Sequence, residues 1–256
     1  MQWFTQLDTV WQALLASLVM YMMTALGASL VFFSKKLSAR AITVLTSMAA
    51  GIMIAASFFS LLLPATEYEG ALPPYATVTV GFLLGGAFVI VGDIILSRVK
   101  PKCGGVGEGT ALLYFAVTLH NIPEGMAVGV AFAAAAGAQE AVLSALFLAI
   151  GIAVQNFPEG LCVAVPLRAK GMPPWKSFLF SQGSGAVEIP ACILGAVAAM
   201  FVTGLMPWAL SFSAGAMIAV VCSELIPESF SGNKTLASVG IVAGFCLMMV
   251  LDIALG

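Results

Sequence analysis

Apolar residues run along this chain in long stretches separated by short polar connections. A membrane crossing needs about 20 consecutive apolar residues, and the pattern predicts eight such spans, over 9–33, 41–63, 74–97, 110–136, 140–167, 175–201, 206–227 and 236–255. The connections between them are so short that no separate soluble domain fits. The expectation is therefore an all-α, polytopic membrane protein in which residues 1–256 form a single eight-span transmembrane domain.

Charge tests that count independently. Lys35, Lys36 and Arg40 fall in the first connection, Arg98, Lys100 and Lys102 in the third, Arg168, Lys170 and Lys176 in or beside the fifth, and Lys234 in the seventh. Every basic residue thus sits in an odd-numbered connection. A missed span would scatter them over both faces, so the positive-inside rule predicts that these connections face the cytoplasm and that both termini are extracytoplasmic. Trp3, Phe4, Trp11, Trp175 and Trp208 lie near span starts and read as interfacial anchors. Met1–Asp8 has no positive region ahead of the first apolar run, so that run reads as a retained span in a multi-pass protein of the cell membrane.

Composition sharpens the exclusions. At 61% hydrophobic and 9% charged residues, the chain could not stay soluble without exposing much of its apolar surface. A net charge of −2 excludes a nucleic-acid surface. None of the five cysteines forms a CxxC pair, and four of them lie in apolar stretches where thiols pack as small hydrophobes. Gly81, Gly85, Gly86, Gly183, Gly185, Ser211, Ser213 and Gly215 are spaced to let helices approach closely. The run Ser181–Gly185 also sits one turn before Glu188 and offers a place for the sixth helix to deform.

One hexapeptide pattern occurs twice inside the spans, as His120-Asn121-Ile122-Pro123-Glu124-Gly125 and as Gln155-Asn156-Phe157-Pro158-Glu159-Gly160. In a helix, residues i and i+4 share a face, so His120 lies beside Glu124, and Gln155 beside Glu159. Each proline lacks an N–H, which predicts a kink at each copy. Glu124 lies about 12 residues before the end of its span and Gln155 about 15 after the start of the next; at ~1.5 Å per residue these are ~18 and ~22 Å from the shared connection. The two copies should face each other near mid-membrane.

Asp93, Glu124, Glu159, Glu188 and Glu224 lie within spans whose interiors hold no lysine or arginine. A charged side chain at mid-bilayer costs on the order of 3 kcal/mol, and neighbouring carboxylates repel one another, so such acids need protons or a bound cation. An imidazole with carboxylate and amide oxygens suits divalent first-row metals, Zn2+ foremost, with Fe2+, Mn2+ or Cd2+ also accommodated. There is no HExxH, so a zinc-protease reading lacks its ligands.

On the strength of these hexapeptides the chain closely resembles the ZIP (Zrt/Irt-like) divalent metal transporters, and the pairing of HN-x-PEG with QN-x-PEG is similar to their GufA-like branch. Ala49–Met53, Glu188 and Ser223-Glu224-Leu225-Ile226-Pro227 extend the resemblance over nearly the whole chain. The resemblance implies an eight-helix bundle with a two-metal site between spans four and five that moves divalent metal toward the cytoplasm. It implies that His120, Glu124, Gln155, Glu159 and Met53 hold one metal and Asn121, Glu124, Asn156, Glu159 and Glu188 the other, with Glu224 a candidate for the pathway. Many members carry histidine where this chain has Gln155. Divalent ions and the bilayer are the partners so implied, and a homodimer is compatible with it. Two rival readings remain open at this point, a proton- or sodium-coupled transporter of another solute and an intramembrane metal-dependent hydrolase; the expectation is that the protein is not an enzyme.

Overall fold

The computed structural model of the chain describes residues 2–33, 38–68, 72–99, 108–169, 171–201 and 204–255. All regular structure among them is helical. A single turn at Gln2–Thr5 precedes the long helical segments α1 (Thr9–Phe32), α2 (Ala39–Ala65), α3 (Pro74–Val99), α4 (Glu108–Ala134), α5 (Gln139–Ala169), α6 (Pro174–Phe201), α7 (Leu205–Phe230) and α8 (Lys234–Leu255). Among the described residues, seven of these segments are long and apolar enough to cross a membrane. The remaining one, α4, is comparable at 27 residues, and several of its side chains lie outside the described set. Segment ends fall within a few residues of the expected ones. Apolar run length fixes where a crossing starts and stops, so it is read well from sequence.

The helices associate chiefly as four pairs, α1 with α5, α2 with α8, α3 with α7, and α4 with the second half of α6. Glycine explains each pairing. A methyl group at Gly27 of α1 would collide with the Phe157 carbonyl of α5, and one at Gly160 of α5 with the Thr24 carbonyl of α1. The same reciprocity joins Gly51 to Ile241 and Gly244 to Met48, Gly85 to Phe212 and Gly215 to Phe82, and Gly129 to Cys192 and Gly195 to Met126. Between membrane helices there is little hydrophobic drive, so close backbone approach and dispersion supply the association. The expected packing role of Gly81, Gly85 and Gly215 is met at the α3–α7 seam; Gly86 touches that seam at ordinary van der Waals distance.

Among the described residues four segments depart from α-helical winding, the first being the 3-10 turn Leu30–Phe32 that ends α1. Ser57–Leu62 in α2 and Val221–Leu225 in α7 are wide π turns, each followed within two residues by a proline, Pro64 and Pro227. A proline excludes the carbonyl four residues before it, and these carbonyls belong to Ser60 and Ser223, inside the wide turns that make room for the rings. In α6 the winding opens at Ala186–Val187, between helices Pro174–Gly185 and Glu188–Phe201, which is where the Ser181–Gly185 run allowed a deformation. At the motif prolines the helical winding continues, with α4 and α5 running as helix through Pro123 and Pro158. The Pro123 carbonyl is held from outside its helix by the Ser213 hydroxyl of α7, 2.6 Å away.

Candidate metal centre

A tight turn aims the two hexapeptides at each other. α4 ends at Ala134 and α5 begins at Gln139, with Gly137 at φ 87° in between, a conformation that side chains with a Cβ adopt at a cost. The helices return antiparallel and pack against each other. Their polar faces meet with α1 and the break in α6.

Burial there is nearly complete. Asn121, Glu124, Asn156 and Glu188 are 0% exposed, Gln155 1% and Glu159 4%, while none of the described lysines and arginines is buried. The Gln155 amide nitrogen donates to a Glu124 carboxylate oxygen at 2.6 Å, which couples the second hexapeptide to the first. The Asn156 amide nitrogen lies 2.9 and 2.8 Å from the two oxygens of Glu188 and 3.4 Å from the Met20 carbonyl. Glu159 and Glu188 are near enough for each charge to act on the other.

The break in α6 supplies two of these groups. Ending one helix at Gly185 leaves carbonyls without helical donors, and the Asn121 amide nitrogen donates to the Ser184 carbonyl at 3.0 Å. Restarting at Glu188 puts that carboxylate in the first turn of a new helix, where the backbone dipole favours negative charge. The Ser181 hydroxyl donates to the Gly160 carbonyl at 2.5 Å, and the Tyr21 hydroxyl of α1 to the side-chain oxygen of Gln182, so both neighbours hold the segment before the break.

Three amide oxygens, those of Asn121, Gln155 and Asn156, are buried without a hydrogen-bond partner among the described residues. Leaving a buried acceptor unmet costs about 1–3 kcal/mol. Neutral oxygens beside carboxylates form a donor set for a hard or borderline divalent cation. Among the described residues no three His, Cys, Asp or Glu side chains come together in a metal-holding geometry, so amides make up much of the arrangement.

The expected site residues therefore fall into distinct places. Glu124 and Gln155 are joined directly, Asn156 and Glu188 directly, and Glu159 lies close enough to Glu188 for the two carboxylates to repel each other. Met53, 1% exposed, lies on α2, which packs against α5. His120 lies on α4, with its side chain outside the described residues. Glu224 is apart from this centre, half-buried in the wide turn of α7 where Asp93 and Glu228 act on it. Ser184, Tyr21 and Gln182 were not anticipated; the only sequence signal for them was the small, polar run before Glu188.

The motif glycines have a role that spacing left unassigned. Methyl groups at Gly125 and Gly160 would meet the backbones of Glu188 and Thr24. Each hexapeptide thus ends in the contact that presses its helix against α6 or α1.

Comparison with known proteins places the chain in a family. The family described as ZIP Zinc transporter matches residues 97–252. The chain is 39% identical to "Zinc transporter GufA" of Myxococcus xanthus, covering 95% of this chain and 98% of that protein. It is 38% identical to "Zinc transporter ZIPB" of Bordetella bronchiseptica over 91% and 78% of the two chains. With "Zinc transporter ZIP11" of Homo sapiens the identity is 35% over 97% and 98%. Matched along nearly its whole length by such relatives, this chain belongs to the ZIP zinc transporter family.

Proposed function

We propose that the protein carries divalent metal ions, zinc first, across the membrane toward the cytoplasm through a two-metal site between α4 and α5. The observation that supports this most is the bond from the Gln155 amide to Glu124, which joins the hexapeptides, together with that from the Asn156 amide to Glu188, in a buried space that none of the described lysines and arginines enters. In this reading His120, Glu124, Gln155, Glu159 and Met53 hold one ion. Asn121, Glu124, Asn156, Glu159 and Glu188 hold the other, and Glu224 lies on the route away from them. Fe2+, Mn2+ and Cd2+ compete as cargo, because oxygen donors admit them too. As a member of a transporter family the protein is not an enzyme.

All eight long segments cross in this reading, which places the basic connections in the cytoplasm and both termini outside the cell membrane. A membrane-impermeant thiol reagent applied outside should then label a cysteine at Glu67, on a cysteine-free background; labelling of that site only from the inner face would reverse the orientation. The function is tested by uptake into vesicles containing the purified protein, with zinc, manganese, iron and cadmium in turn. Zinc uptake above protein-free vesicles is expected, and its absence for every metal would refute the reading.

A further inference from the structure

The amide nitrogens at the centre stand where cations would. An ionised carboxylate only accepts hydrogen bonds, so each amide must turn its N–H group toward it. The Asn156 nitrogen, 2.9 and 2.8 Å from the Glu188 oxygens, sits in the cleft that a bidentately bound cation would fill. At 2.6 Å, the Gln155 nitrogen occupies a lone pair of Glu124 in the same way. The lone pair of an amide nitrogen is delocalised into the carbonyl and does not bind metals; the oxygens do. Those oxygens are buried and have no partner among the described residues.

We propose that Gln155 and Asn156 are amide switches: their N–H groups stand in for the cation in the empty carrier, and the same side chains turn about their terminal bonds to offer oxygen when the cation arrives. No covalent bond changes. The switch rests on the transport reading above and adds a role that charge alone could not fill. An ionised aspartate or glutamate at these positions would bind a cation more strongly but, unless it took up a proton, could not donate to Glu188 or Glu124 after the cation leaves. A carrier must cross back empty, and a buried carboxylate pair without a partner opposes that step. The pairing of a neutral amide with an acid therefore balances loading against return.

Asn156→Asp and Gln155→Glu keep the size and shape of each side chain while removing its donor. Thermal unfolding of the purified protein with and without zinc reads the switch without transport. The metal-free variants should be less stable than wild type, and zinc should raise their Tm by about twice the wild-type increment, since the ion replaces a lost partner. Asn156→Leu, which lacks both donor and acceptor, should gain less from zinc than wild type. In vesicles, zinc–zinc exchange needs only the loaded carrier, whereas net uptake needs the empty return. For Asn156→Asp, whatever the altered ligand does to exchange, net uptake should fall about tenfold further than exchange does. A zinc-induced Tm rise in the acid variants no greater than in wild type, or exchange and net uptake changing in equal proportion, would overturn the switch. Failure of zinc to stabilise the wild-type protein would instead strike the metal-site reading beneath it.

Discussion

The two hexapeptides share four of six residues and do different jobs. In the first, on α4, the Asn121 amide donates to backbone, the Ser184 carbonyl at the broken end of a half-helix. In the second, on α5, the neighbouring amides Gln155 and Asn156 both donate to carboxylates. The first copy thus anchors α6 against the centre, and the second supplies hydrogen-bond donors to the acids gathered there. Their glycines diverge too, Gly125 seating the backbone of Glu188 and Gly160 that of Thr24. An internal repeat can therefore conserve helical register while its partners, fixed by the helices packed against each copy, assign each residue its role.

The largest effects should come where the copies are alike. Glu124→Ala and Glu159→Ala should each abolish zinc uptake at normal expression, because each removes a carboxylate from a buried centre that nothing else refills. Asp252→Asn should leave uptake near wild type: Asp252 is half-buried near the end of α8 and accepts from the Ser60 hydroxyl at 2.5 Å, a bond that the asparagine oxygen preserves. Near-normal uptake by either glutamate variant would remove its hexapeptide from the mechanism.

Smaller effects should separate the copies. A leucine at Gly160 would drive α5 away from α1, and one at Gly125 would drive α4 away from α6; overpacking of this kind costs about 1–3 kcal/mol or more. Both should lower the Tm of the purified protein. Zinc affinity should fall further for Gly125→Leu, because its contact is the backbone of Glu188 itself. Equal affinity losses would mean that the two glycines serve packing alone.

The smallest change is one of degree. Gln155→His replaces a neutral oxygen with an imidazole, a stronger donor for zinc than for manganese. Zinc affinity should tighten by up to about tenfold, and competition uptake should favour zinc over manganese more than in wild type. Maximal uptake should fall, since a tighter site releases its ion more slowly. An unchanged zinc-to-manganese ratio together with unchanged affinity would take Gln155 off the metal.

Much of this was legible in the sequence because membrane burial is a severe filter. Apolar run length located the spans, and acids within them without basic partners located Glu124, Glu159 and Glu188. The i, i+4 rule placed Gln155 with Glu159 on one helix, yet the structure joins Gln155 to Glu124 on the next, and no rule of spacing within one helix foretells a bond between two. Pairing of the helices was hidden for the same reason: Gly27 and Gly160 are ordinary small residues until each meets the other's helix. The motif prolines alone did not locate the changes of winding: α4 and α5 stay helical through Pro123 and Pro158, where a kink is expected, while winding opens at Ala186–Val187 and widens before Pro64 and Pro227.

That the two hexapeptides build one centre, and not two, is tested most directly by zinc calorimetry on wild type, Glu124→Gln, Glu159→Gln and the double variant. If both carboxylates serve the same ions, each single substitution should remove high-affinity binding and the double should lose little more, a strongly non-additive cycle. Should each single variant instead bind half the zinc at wild-type affinity, the copies would be independent sites and the account would be wrong.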